Sequence, residues 1–173
     1  MDAGVEELKK VPGVGDGVAT FFSLLQQLDR ACEIRRNIDV SIINSHADIR
    51  KLMLARMDKQ RNETVYLLCL DAKRKVLCLE KVSEGSVNSA NVPIRRIAEV
   101  ALAANATTVI LGHNHPGGLA FPSTEDIDTT NHIAKALWAM DIELADHVIV
   151  SDGEYISLAQ SGLFRPAFNG NLE

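Results

Sequence analysis

Three short stretches of this 173-residue chain are apolar at consecutive positions rather than alternate ones: Thr64–Leu70, Thr107–Gly112 and His147–Val150. A strand of that pattern has no face to give to water, so it belongs in a sheet covered on both sides. Candidate covers are present. Ile94, Ile97, Ala98, Ala101 and Leu102 recur at helical spacing, Ser123–Met140 reads as a long helix, and Ser45 opens one whose stripe is Ile49, Leu52, Met53 and Met57. Thr64–Leu70 turns over Asp71–Lys75 into Val76–Val82, a hairpin that sets Cys69 opposite Cys78, and Tyr155–Leu158 is a further strand. The expected fold is α/β (α+β), a mixed β-sheet flanked by helices over residues 37–166. A small helical unit precedes it at 1–36, and a tail follows at 167–173.

Composition narrows the class. With 46% apolar residues the chain can bury a core without covalent staples. Three cysteines with no Cys-x-x-Cys pair exclude a disulfide framework and a Cys-rich structural zinc site. They read as buried thiols of a reducing compartment. The opening MDAGVEELKK holds no apolar stretch for a signal peptide, and no run approaches a membrane span. A cytoplasmic protein without membrane contact is expected. The net charge is −5, and residues 121–173 carry two bases against nine acids, a poor surface for coating nucleic acid.

Chemistry concentrates in His113-Asn-His115-Pro-Gly-Gly-Leu-Ala-Phe-Pro-Ser123-Thr-Glu-Asp126. Side chains two apart on extended backbone point the same way, so His113 and His115 face one point and Asn114 another. Pro116-Gly117-Gly118 then turns the chain, and Ser123 opens a helix with Asp126 in its first turn. Two imidazoles and one carboxylate are the three protein ligands of an open, catalytic zinc site. Each piece has a plainer reading. Histidines at a strand end are often surface residues, and Ser-x-x-Asp is also a helix cap; Ser45-His-Ala-Asp48 repeats that pattern with no metal partner. His147 beside Asp146 suggests either a pair supporting the site or a strand-end packing residue, with packing preferred; His46 and His132 read as surface residues, and Trp138 as core.

The spacing His-x-His, seven residues, Ser-x-x-Asp resembles the JAMM (MPN) metalloprotease signature, matched here by His113, His115, Ser123 and Asp126. Asn105-Ala106, Pro122-Ser123, Asp126-Ile127, Thr130 and Asp146-His147-Val-Ile-Val narrow the resemblance to the bacterial RadC family over roughly residues 37–166. It implies a JAMM/MPN (cytidine-deaminase-like) architecture and a Zn2+ cofactor held by His113, His115 and Asp126. It further implies metal-assisted hydrolysis of a peptide or isopeptide-like amide in a protein or peptide substrate. Glu63, just ahead of the first apolar strand, would be the general base, and Ser123 would donate a hydrogen bond to the developing oxyanion. Gly117-Gly118, Leu119-Ala120-Phe121 and Arg96 depart from the usual RadC pattern, so substrate specificity does not carry over.

Leu8-Lys-Lys-Val11-Pro-Gly13-Val-Gly15-Asp-Gly-Val-Ala19 resembles a helix-hairpin-helix, a unit that RadC proteins commonly carry ahead of the JAMM domain. Gly13 and Gly15 are then the candidate DNA contacts, through backbone N–H groups. The plain alternative is a tight interhelical turn, and residues 1–36 offer few cations for phosphate, so any DNA contact there is weak. Two further readings of the whole chain stand beside the hydrolase. One is a non-enzymatic, DNA-associated module, in keeping with the family's DNA-repair label. The other is a JAMM-fold scaffold that has lost activity.

Overall fold

The computed structural model describes residues 8–22, 24–25, 41–57, 60, 62–85 and 93–167. The chain divides into two compact units, Met1–Asp39 and Val40–Glu173.

In the first unit, residues 16–22 are helical and Gly13 turns the chain with φ +89°, a conformation open to glycine at little cost. Val11 N–H donates to Leu8 C=O and Val14 N–H to Val11 C=O, which tightens that turn. Lys9 pairs with Asp16 at 2.9 Å. Cys32, expected on the same helix as Val18, Phe22 and Leu25, lies outside the described residues.

The second unit runs α1 (His46–Met57), β1 (Thr64–Leu70), β2 (Val76–Glu84), α2 (Ile94–Ala103), β3 (Thr108–Asn114), α3 (Thr124–Trp138), β4 (Glu143–Ser151) and β5 (Glu154–Ser157). Its five strands form one sheet in the order β2-β1-β3-β4-β5. Only β3 and β4 are parallel, and α3 is the crossover between them. Every residue of β1 is buried, and β3 is buried from Val109 to Asn114, as consecutive apolar residues require. The hairpin register places Cys69 opposite Cys78.

Helices cover both faces. On one, Ile97, Val100 and Ala101 of α2 and Ile133 and Leu137 of α3 join Val65, Leu67, Val109 and Leu111 in a single core. Ile133 and Leu137 stand one turn apart and are fully buried, each stabilising the fold by about 1.5–3 kcal/mol. On the other face α1 buries Ile49, Leu52, Met53 and Met57. There Gly112 matters. A Cβ on it would lie 2.9 Å from Met53 Sδ and 3.0 Å from Met57 Cε, so the missing side chain lets α1 sit against β3.

The strands differ from the sequence reading mainly in length. β4 begins at Glu143 rather than His147, because Asp146 is fully buried inside the strand. Ser157 Oγ–H donates to its carboxylate at 2.5 Å, with the backbone N–H groups of His147 and Ala159 at 2.7 and 3.0 Å. A buried carboxylate so satisfied is tolerated where sequence alone suggests a loop. Trp138, expected in the core, stands 46% exposed, one residue past the buried Leu137 and so rotated off the apolar stripe. His46, expected on the surface, has a side chain only 16% exposed, with Nδ1 3.7 Å from Asp146 Oδ2. Among the described residues no helix is long and apolar enough to cross a membrane.

Candidate metal centre

Strand pairing builds the site. β1 runs antiparallel to β3 with Val65 opposite His113, so the residue entering β1 comes alongside the residue leaving β3. Glu63 therefore lies beside His115. Since side chains alternate, Glu63, Val65, His113 and His115 share one sheet face. One ligand atom from each of Glu63, His113 and His115 lies within 4.8 Å of the others. Asn114 points elsewhere, as its spacing requires. Its Oδ1 accepts from Thr64 N–H at 2.7 Å and Thr64 Oγ–H at 2.6 Å, while its amide donates to Asn62 C=O at 3.0 Å.

The second carboxylate comes from α3. Ser123 is the N-cap and forms a reciprocal capping box with Asp126. Ser123 Oγ accepts from Asp126 N–H at 3.1 Å, and Asp126 Oδ2 accepts from Ser123 N–H at 2.8 Å and from the Ser123 hydroxyl at 2.6 Å. The box orients the carboxylate. Its Oδ1 stands 3.3 Å from His113 Nε2, and its Oδ2 is 3.9 Å from His115 Nε2. At Ser45 the same pattern serves only as a cap, with Asp48 Oδ2 accepting from Asn44 N–H, Ser45 N–H and the Ser45 hydroxyl.

The protons on the histidines follow from their partners. His115 Nδ1 lies 3.0 Å from Leu119 C=O, which can only accept, so Nδ1 carries a proton and Nε2 is the nitrogen turned toward the site. His147 is buried but is no mere packing residue. Thr130 Oγ1 sits 2.5 Å from both Asp126 C=O and His147 Nδ1. The carbonyl takes the single hydroxyl proton, so His147 Nδ1 donates to Thr130. His147 Nε2 then accepts from His113 Nδ1 at 2.8 Å, which leaves His113 Nε2 a lone pair.

His113 Nε2, with its lone pair, stands 2.8 Å from His115 Nε2. Two ring nitrogens so close take either a proton or a metal ion between them. Burial disfavours a proton in that role: it lowers the His113 pKa to about 4, although Asp126 opposes the shift, and holds His147 well below its ordinary value. The donor set suits a divalent metal, and two imidazoles with carboxylate fit zinc chemistry.

A mixed sheet covered by helices on both faces, with two imidazoles and two carboxylates gathered where β3 ends, defines an α/β domain with a candidate metal centre. The family model described as the RadC-like JAB domain matches residues 43–163. The chain belongs to that family. Among its curated relatives is a protein of Rubrobacter xylanophilus, 35% identical over 93% of this chain and 70% of that protein. One from Methanosarcina barkeri is 36% identical over 94% and 71%, and one from Clostridium acetobutylicum 33% over 94% and 71%. All three carry the name UPF0758 protein, which states no activity.

Sequence reasoning placed His113, His115, Glu63, Ser123 and Asp126 in the site, and the fold brings all five to one sheet end. It preferred packing for His147 and gave Thr130 and Asn114 no role in the site. Gly13 and Gly15 belong to the first unit, where a Cβ on either would meet nothing within 4 Å.

Proposed function

We propose that the protein is a zinc-dependent hydrolase that cleaves a peptide or isopeptide-like amide. The observation that carries this reading is the convergence of His113 Nε2, His115 Nε2 and Asp126 Oδ1, with Glu63 beside the histidines. His113, His115 and Asp126 would hold the ion, which when bound supplies Lewis acidity toward water and the scissile carbonyl. Glu63 is left as the general base. It takes a proton from the attacking water and returns it to the leaving amine. Ser123 holds Asp126 in the capping geometry. To donate toward a developing oxyanion, its hydroxyl turns from Asp126 Oδ2 while Ser123 N–H keeps that oxygen in place.

A DNA-associated module draws less support. Lys9, in the residues that lead to the Gly13 turn, is engaged by Asp16. The deciding measurement is elemental analysis of protein purified after zinc supplementation, followed by assay on amide and isopeptide substrates. Stoichiometric zinc with amide cleavage is the expected outcome. Absence of zinc after supplementation rejects the proposal.

A further inference from the structure

The sheet face that carries the candidate ligands also carries a histidine that no local motif accounts for. His147 lies on β4, whose parallel register pairs it with Leu111, so it sits diagonally behind His113 on the same face. It is 3% exposed and Thr130 is fully buried, so neither is open to solvent exchange at its polar atoms. Between them runs an unbroken series of contacts. Thr130 Oγ1 lies 2.5 Å from Asp126 C=O, His147 Nδ1 lies 2.5 Å from Thr130 Oγ1, and His147 Nε2 lies 2.8 Å from His113 Nδ1. The direction of every proton is set at one end, because a carbonyl can only accept. Both ends are residues of the candidate metal site. The series starts at the backbone of Asp126 and ends on the ring of His113, whose Nε2 returns to within 3.3 Å of the Asp126 carboxylate.

We infer that Thr130 and His147 are positioning residues for the ion: the hydrogen-bonded series from Asp126 C=O through Thr130 and His147 holds His113 in the one tautomer whose Nε2 lone pair faces His115 and Asp126. This rests on the metal reading above. Metal-binding histidines ordinarily donate their distal N–H to a carboxylate, a backbone carbonyl or water, and the partner fixes tautomer and ring orientation. Here a neutral imidazole does that work, and its own tautomer is fixed in turn by one threonine hydroxyl. A residue that contacts no metal ligand side chain thereby controls which nitrogen of His113 bears a proton. Remove the Thr130 hydroxyl and His147 Nδ1–H loses its acceptor. His147 can then carry its proton on Nε2 instead, which forces His113 to accept at Nδ1 and to protonate Nε2, the atom meant for the metal.

The test compares Thr130→Val, which matches the shape of threonine without the hydroxyl, with Thr130→Ser, which keeps the hydroxyl. Two quantities are read. The first is the His113 tautomer, from nitrogen-15 NMR of the metal-free protein. The second is affinity for Zn2+ alone, by competition with a chromophoric chelator. Wild type and Thr130→Ser should show His113 protonated at Nδ1, and Thr130→Val a loss of that tautomer with zinc affinity lower by roughly 10–100-fold. A merely structural role for Thr130 would move the melting temperature without moving the tautomer. Should Thr130→Val keep both the tautomer and the zinc affinity of Thr130→Ser, the inference is overturned. If Thr130→Val does not fold, wild type still decides, since His113 protonated at Nε2 in the metal-free protein contradicts the series. Failure of the wild type to bind zinc at all overturns the metal reading instead, and the tautomer still reports on the series.

Discussion

Asn114 Oδ1 receives both the backbone N–H and the hydroxyl of Thr64, at 2.7 and 2.6 Å, and so stitches the residue after Glu63 to the residue between the two candidate histidine ligands. That oxygen adds a side-chain anchor to the β1–β3 pairing just where the proposed base comes alongside the ligands. Asn114→Leu should leave both Thr64 donors buried without an acceptor, a loss of about 1–3 kcal/mol for each unsatisfied group. Zinc content should persist while amide hydrolysis falls, because only Glu63 is released. Asn114→Asp keeps the acceptor and should restore part of the activity. Denaturant unfolding, metal analysis and turnover measured together check this, and unchanged turnover in Asn114→Leu would show that the stitch does not place Glu63.

Glu63 and Asp126 both offer carboxylate oxygens near the histidines, and their proposed jobs separate on substitution. Asp126→Ala should strongly reduce zinc occupancy. Glu63→Gln should bind zinc nearly as wild type does and hydrolyse roughly 10²–10⁴-fold more slowly, the usual range for loss of a general base. Loss of zinc in Glu63→Gln, with full zinc in Asp126→Ala, would exchange the two assignments.

Acid should destabilise the metal-free protein. Burial lowers the His113 pKa to about 4 from 6.5 and holds His147 well below 6.5, so both stay neutral in the fold while their unfolded counterparts take up protons. Between pH 6.5 and 4 the unfolded state therefore binds more protons, and stability falls as pH falls, by up to about 1.4 kcal/mol per pH unit for each group. Urea unfolding at pH 7 and pH 5 measures this. A stability independent of pH across that window contradicts neutral, buried histidines.

Gly112→Ala tests how α1 meets the sheet. The new Cβ would press on Met53 Sδ and Met57 Cε, the ends of flexible side chains that can shift. A loss near the low end of the ~1–3 kcal/mol range for overpacking is expected. Gly112→Val should cost more. Neither should alter zinc affinity, since His113 points to the opposite face. Equal thermal stability of Gly112→Ala and wild type would mean that α1 does not depend on this close approach.

How much of this was legible in the sequence depends on how far apart the partners lie. His113, His115, Ser123 and Asp126 fall within one strand-turn-helix segment, so alternation and capping rules bring them together from spacing alone. The sheet was legible because β1 and β3 are apolar at consecutive positions. His147 and Thr130 were not, because their link to His113 arises from the parallel register of β3 and β4, which no local pattern encodes. Asn114 reads as a spacer between histidines until β1 is laid beside it. The early part of β4 was hidden because Asp146 looks like a loop residue, and only three donors converging on it make its burial tolerable. Glu63 was placed by family resemblance, and the antiparallel pairing of β1 with β3 gives its position a physical cause.

That pairing divides the centre into two inheritances. His113, His115 and Asp126 arrive on one continuous stretch of chain, whereas Glu63 comes from some fifty residues earlier and reaches them only while β1 stays zipped to β3. On the proposed reading, the three ligands are neighbours in the chain, and the base alone depends on that distant pairing. Zinc content would then report on the ligand stretch and be silent on whether Glu63 has reached it.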